Sequence, residues 1–281
     1  MSDTREQLNF LRYPGGKGRM LSHLRSYIPS SDQIVGHYIE PFVGGGAVFL
    51  YVQPKSAVLA DVNSELIDLY KAIRAHPERV WEAFRAMPEG KDAYHRIRKL
   101  KPGELDCVTR AARLLYLNRT CFKGMWRHNG KGEFNIGYGG ASRRWVITEE
   151  DLLGVSRLLR RASLRCSDFE EVIDLSSAGD FIFVDPPYRP GHRELANQHY
   201  VGQAFTFEDQ ARLASALARA EARGVWWTMT NSAHPDILSL YPHHSVTQLA
   251  RGTGPKPGAL IPHAGEVIIT SGRKGQDAAV L

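Results

Sequence analysis

The sequence predicts an α/β fold: a doubly wound sheet interrupted by an inserted unit of helices and a β-hairpin. Three observations carry this. Apolar, β-favouring runs at 34–39, 57–60 and 181–184 each lead into an acid, Glu40, Asp61 and Asp185, as strands of an open α/β sheet do where ligands gather at their carboxyl ends. A glycine turn, Val43-Gly44-Gly45-Gly46, separates the first run from an apolar helix at 47–51. The alternation then stops at His76, and residues 76–161 read as helices and a tight turn instead of further strands.

The segment Phe181-Ile182-Phe183-Val184-Asp185-Pro186-Pro187-Tyr188 is the most informative. Four apolar residues in a row read as a strand buried on both faces, and two prolines stop it at Asp185. Proline has no N–H, so the carbonyls here lack a local donor. A ligand amine can then give one hydrogen to the Asp185 carboxylate and one to the Pro186 carbonyl, while Tyr188 stacks on a flat heterocycle. Two acceptors would hold an exocyclic base nitrogen toward tetrahedral geometry and favour its attack on an electrophile. The plainer alternative is a strand-to-turn junction with a helix-capping aspartate.

Composition sets the class. The 281 residues are 43% hydrophobic and 23% charged, an ordinary globular balance with room for one large domain plus an insertion, or two domains. No apolar run approaches the roughly 20 residues that span a bilayer, and the N-terminus has no signal pattern, so no membrane role and a cytoplasmic location are expected. Cys107, Cys121 and Cys166 form no CxxC pair, which suggests neither a disulfide framework nor a metal site. Charge is segregated: residues 71–165 hold 21 Lys+Arg against 10 Asp+Glu, a net +11, and the remainder holds 15 against 20, a net −5. An excess so concentrated points to a polyanionic partner.

In chain order, Tyr13-Pro14-Gly15-Gly16-Lys17 precedes a helix at 19–27 and is not a phosphate-binding P-loop, since Gly18 follows the lysine. Residues 33–40 read as the first strand and 57–63 as the second. Asp61, at the second strand's tip, suits the hydroxyls of a ribose or, alternatively, caps the helix at 64–75. Helices follow over 76–99 and 109–119. Asn129-Gly130 is a hairpin turn signal, and its arms interleave Phe122, Met125, Trp126 and Phe134 with Lys123, Arg127 and Lys131. Such a ribbon suits a nucleic-acid groove; the alternative is a flap whose aromatics are core. Arg143 and Arg144 suit phosphate contact. A helix at 149–161 returns to the sheet, 164–169 ends a third strand, and 189–204 reads as a loop over the site. The helix from 207 ends at Gly224, 225–231 is a strand, 248–263 is a Gly- and Pro-rich loop, and 267–270 is the last strand.

The Asp-Pro-Pro-Tyr segment, taken with the order of the other motifs, resembles the Dam-type bacterial DNA adenine-N6 methyltransferases. The resemblance runs from Phe10 to Thr270. It implies a Rossmann-like S-adenosylmethionine methyltransferase sheet, with residues 1–70 and 165–281 as the catalytic domain and 71–164 as the target-recognition domain. It further implies site-specific methyl transfer from S-adenosyl-L-methionine to a flipped adenine in double-stranded DNA, at GATC or a related sequence. Asp185, Pro186, Pro187 and Tyr188 would be the catalytic motif. Cofactor contacts would come from Tyr13, Lys17, Glu40, Phe42, Gly44, Gly46, Asp61, Asp168, Phe169 and Asp185, with Lys17 reaching the methionine carboxylate. Arg127 falls where the family places a guanine-reading arginine, Met125 at a neighbouring recognition position, and Arg12 at a basic position near the DNA. Arg119, Asn129, Lys131, Arg143 and Arg144 complete the expected DNA-binding set, with Phe122 and Lys123 standing where enteric members have Tyr and Asn. No metal is required, a monomer is expected, and a cognate restriction endonuclease is an allowed partner. Methylation of the cytosine amine, or a DNA-binding regulator without activity, are the alternatives.

Overall fold

The computed structural model describes residues 8, 10–12, 17–129, 133–142, 144–188, 205–249 and 265–272. After a 3-10 turn at Lys17–Met20, the elements run α1 (Leu21–Leu24), β1 (Tyr38–Glu40), α2 (Ala47–Val52), β2 (Ala57–Asp61) and α3 (Ser64–Ala75). An all-helical stretch follows: α4 (Pro77–Ala86), α5 (Lys91–Lys99), α6 (Cys107–Thr120) and α7 (Glu149–Leu159). The chain then forms β3 (Ala162–Cys166), α8 (Phe169–Asp174), β4 (Phe181–Val184), α9 (Phe207–Ala222), β5 (Trp226–Ser232), α10 (Pro235–Leu238), β6 (Ser245–Gln248) and β7 (Glu266–Thr270). None of the described helices is long and apolar enough to cross a membrane. The expected loop at 189–204 lies outside the described residues, as does the one expected at 248–263 except for Gln248, which ends β6, and Leu249.

Seven strands form one sheet in the order β3-β2-β1-β4-β5-β7-β6. The first five in that order are parallel, and β7 runs antiparallel between β5 and β6. The winding direction reverses between β1 and β4, so a crevice opens beyond their carboxyl ends. The β4 run is buried along its whole length because both faces are covered. Phe181 and Phe183 enter one core and Ile182 and Val184 the other, each burial contributing about 1.5–3 kcal/mol. The second core is closed by α8 and α9; Leu213, Leu217 and Ala220 of α9 face it as their spacing predicts, and a Thr206–Asp209 capping box starts that helix. The first core passes without a break from the sheet into α4–α7, through Phe84, Tyr94, Leu115 and Leu159. The inserted helices therefore share their apolar core with one face of the sheet.

Several elements differ from the sequence reading. The first strand begins at Tyr38 instead of 33, because Gly36 sits against Asp180. A Cβ on Gly36 would lie 2.2 Å from Asp180 Oδ1, and that oxygen accepts from the His37 N–H at 2.6 Å. The helix expected over 19–27 shrinks to the 3-10 turn and the four residues of α1. The third strand ends at Cys166, and Asp168 caps α8 instead of ending a strand. β6 has no apolar alternation and was not anticipated; it exists as an edge strand paired to β7. Among the described residues, pairing in the hairpin around Asn129 consists of two isolated bridges, His128 with Phe134 and Cys121 with Tyr138.

Candidate active site

Glu40, Asp61 and Asp185 stand at the tips of β1, β2 and β4, three neighbouring strands. Asp185 Oδ1 accepts from Thr230 Oγ1 at 2.7 Å and pairs with Lys17 Nζ at 2.8 Å. Lys17 Nζ also lies 3.1 Å from Glu266 Oε1 and 4.9 Å from the centroid of the Tyr188 ring. The Tyr188 hydroxyl donates to the same Glu266 oxygen. Gln210 Nε2 donates to the Pro187 carbonyl at 2.9 Å and is itself held by Asn231 at 3.0 Å. Among the described residues Gln210 reaches the Pro187 carbonyl and no donor reaches that of Pro186.

The electrostatics follow from burial. Glu40 is buried and accepts from the Tyr38 hydroxyl at 2.8 Å; desolvation pushes its carboxyl up to about 8, and Asp185 and Asp61 add to the rise. Asp61 is raised to about 6 by burial, against the opposing pull of two backbone donors. Burial also raises Asp185, although Lys17 and Thr230 work in the other direction. Lys17 is raised despite its own burial because two carboxylates hold its proton.

Asp61 does not cap α3. Asn63 does, accepting from Leu66 N at 3.3 Å. The two oxygens of Asp61 instead take the N–H groups of Asn63 at 3.0 Å and Gly44 at 3.1 Å, tying the second strand's tip to the glycine turn. Gly44 and Gly46 both have positive φ, 46° and 65°, and a Cβ on Gly46 would sit 2.7 Å from the Tyr70 hydroxyl, which donates to the Gly44 carbonyl at 2.8 Å. Only glycine fits there. Beside this turn Phe42 stacks on Phe169, with ring centroids 5.3 Å apart. Asp168 caps α8 and accepts from Arg212 at 2.8 Å.

The expected DNA-contacting residues divide. The Arg12 backbone is clamped by the Asn118 amide, which accepts from its N–H at 2.9 Å and donates to its carbonyl at 2.5 Å. The Arg12 side chain lies over Gly124, where a Cβ would meet it at 2.5 Å. That brings Arg12 beside exposed Phe122, Lys123 and partly buried Met125. Arg127 Nε donates to Asn135 Oδ1 at 3.0 Å, and Asn129 donates to Glu133 at 2.9 Å. Trp126 and Phe134 are core residues, as the plainer reading of the hairpin had it.

Arg144 is a correction. It is fully buried, and its guanidinium donates to the carbonyls of Phe84 at 2.7 Å and Met87 at 2.6 Å, closing the C-terminal end of α4. Phe84, Tyr116 and Trp145 surround it. It is a helix cap and does not face a phosphate. Arg119 is likewise buried, without the exposure a backbone contact needs. Tyr13, Lys131 and Arg143 lie outside the described residues.

Sequence reasoning missed Glu266, Thr230, Gln210, Asn118 and Tyr70. A faint signal existed for two of them: Thr230 is polar inside an otherwise buried strand, and Glu266 is a lone acid opening an apolar one.

Strand order, glycine turn and acid-tipped strands together define a Rossmann-like, doubly wound sheet with its ligand crevice at the β1/β4 switch point. Residues 13–251 match the family model described as D12 class N6 adenine-specific DNA methyltransferase. The chain is 32% identical over 248 residues to the type II methyltransferase M1.LlaDCHI of Lactococcus lactis subsp. cremoris, covering 85% of this chain and 86% of that one. It is 33% identical to the type II methyltransferase M.MjaIII of Methanocaldococcus jannaschii, covering 82% and 86%. To the DNA adenine methylase of Vibrio cholerae it is 32% identical, covering 84% and 86%. The chain belongs to the D12 class of N6 adenine-specific DNA methyltransferases, and its reaction is adenine-specific DNA methylation. Adenine, and not the cytosine amine, is the base.

Proposed function

We propose that the chain transfers the methyl group of S-adenosylmethionine to an adenine flipped out of duplex DNA, with Asp185 and the Pro186 carbonyl as the two acceptors for the adenine amine. The observation that carries this reading is the β4 tip: a carboxylate set by Thr230 and Lys17 beside a carbonyl to which no described residue donates. The donor set suits the cofactor. Gly44 and Gly46 let a ligand approach the backbone, Asp61 offers a half-buried carboxylate at the ribose end, and the strand-tip carboxylates of Asp61 and Asp185 favour a cation. S-adenosylmethionine, when bound, supplies an electrophilic methyl on a sulfonium.

Asp185 and Pro186 orient the nitrogen lone pair and hold its two hydrogens. Asp185, whose proton affinity is raised by burial, accepts the proton the nitrogen sheds as its bond to the methyl forms. Tyr188, fixed through its hydroxyl by Glu266, presents a ring on which the extruded base stacks. Residues 71–164 act as the DNA-recognition unit, with Arg127, Met125, Phe122, Lys123 and Arg12 at the duplex and GATC or a related sequence as target. The enzyme acts as a monomer, and a cognate restriction endonuclease is its partner if it serves a restriction system.

The test is Asp185→Ala, assayed for transfer of labelled methyl into DNA, with cofactor binding measured separately by calorimetry. Turnover is expected to vanish while binding stays measurable; normal turnover overturns the reading.

A further inference from the structure

We infer that Glu266 is a positioning residue of the methyl-transfer site: it draws the Lys17 ammonium off Asp185 when the target amine arrives and fixes Tyr188 for stacking. The inference rests on the role of Asp185 proposed above. In the observed arrangement the Lys17 ammonium already imitates the substrate. It gives hydrogens to Asp185 Oδ1 at 2.8 Å and sits 4.9 Å from the centroid of the Tyr188 ring. An adenine amine stacked on Tyr188 and donating to Asp185 needs the same place. Lys17 must therefore yield, and a buried ammonium yields only toward another partner for its charge.

Glu266 supplies the alternative. Its Oε1 is 3.1 Å from Lys17 Nζ, so a small swing of the ammonium exchanges one carboxylate for the other without loss of pairing. The same oxygen accepts from the Tyr188 hydroxyl, so one carboxylate sets both the ring and the ammonium. Glu266 reaches them from the first position of β7, opposite Ser232 on β5, one strand removed from the β4 tip. One ammonium between two carboxylates leaves a net charge of −1, which a sulfonium would neutralise. Among the described residues, the titratable groups facing the cluster are Asp185 and Tyr188 beyond β4, Glu266 on β7 and Glu40, capped by Tyr38, on β1.

Glu266→Gln keeps the shape and an acceptor oxygen but removes the charge. Asp185 is then the remaining carboxylate for Lys17 among the described residues, and the ammonium competes with the target amine. The full-length enzyme is assayed in single turnover, in excess over sites on adenine-unmethylated genomic DNA, with labelled S-adenosylmethionine. The rate of Glu266→Gln should fall about 10- to 100-fold near pH 7. Loss of the anion also makes Lys17 easier to deprotonate, and a neutral Lys17 releases Asp185. The deficit should therefore shrink as pH rises toward the titration of Lys17. Because the deficit is compared with itself across pH, a reduced folded fraction that does not change with pH cancels. Glu266→Asp, which keeps the charge, should show a smaller deficit that does not change with pH. In a Lys17→Met background, Glu266→Gln should cost little more.

A wild-type rate for Glu266→Gln overturns the inference. So does a deficit that is constant with pH and multiplies that of Lys17→Met, the mark of a merely structural role. Asp185→Ala in the same assay separates the two claims. If that variant is active, the reading of the site fails; if it is inactive while Glu266→Gln is normal, only the Glu266 inference fails.

Discussion

The strand-tip pole and the inserted helical pole present the same problem, charged side chains near a site, and resolve it differently. At the sheet edge each acid lands where its strand ends: Glu40, Asp61 and Asp185 converge because β1, β2 and β4 are neighbours. In the insert the arginines divide. Arg113 donates to the Ile97 and Arg98 carbonyls at the end of α5, and Arg144 to the end of α4, whereas Arg127 and Arg12 flank the loop around Gly124. A carboxylate at a strand tip has one location open to it. An arginine of the insert has two, a helix's last carbonyls or a phosphate, and both reward the same five donors. Part of the +11 excess is therefore structural in its contacts. Carbonyl partners do not neutralise it, so the field it presents to a polyanion remains.

The largest effect that sharpens this contrast is at the sheet edge. Asp185→Ala should lower methyl transfer by about 10³-fold or more with little change in folding. Equal residual activity in that variant and the wild type would break the convergence argument. Next comes Arg144→Ala. It should cost about 3 kcal/mol by leaving buried carbonyls unpaired, lowering the melting midpoint by several degrees. If the midpoint is unchanged and DNA affinity falls instead, the division of the arginines is wrong. Arg127→Ala should cost about 1–3 kcal/mol of discrimination at a single base pair, measured by sequencing the modified adenines. Equal losses on every sequence would reassign it to the phosphates.

The last expected effect is on pH dependence. Glu40 has a folded value of about 8, above its unfolded one, so the folded state holds a proton that the unfolded state gives up. Its contribution to stability is then fully present at low pH and declines as pH rises from about 4.5 toward about 8. Glu40→Gln, which retains an acceptor for Tyr38, should flatten that decline in thermal melts of the cofactor-free protein. An unchanged slope would place the titration elsewhere.

What could be read from the chain alone follows the same division. Asp185 was legible because Pro186 and Pro187 stop a strand whatever surrounds it. The start of β1 was not, since the Gly36–Asp180 contact that sets it spans more than half the chain. Asn63 took the cap from Asp61 because the capping acceptor must stand immediately before the helix, and Asp61 is two residues earlier, committed to the glycine turn. β6 has no pattern of its own and is a strand only because β7 offers it an edge. Glu266 meets Tyr188 across 78 residues and Arg144 meets Phe84 across 60. Both partnerships are made by tertiary packing, which local periodicity does not encode.

The most direct test is a crystal structure of the enzyme with a methyl-less cofactor analogue and a duplex carrying its target site. The expected result is an extruded adenine stacked on Tyr188, its amine within hydrogen-bond reach of the Asp185 carboxylate and the Pro186 carbonyl. An adenine bound elsewhere, with Lys17 still paired to Asp185, would contradict the account.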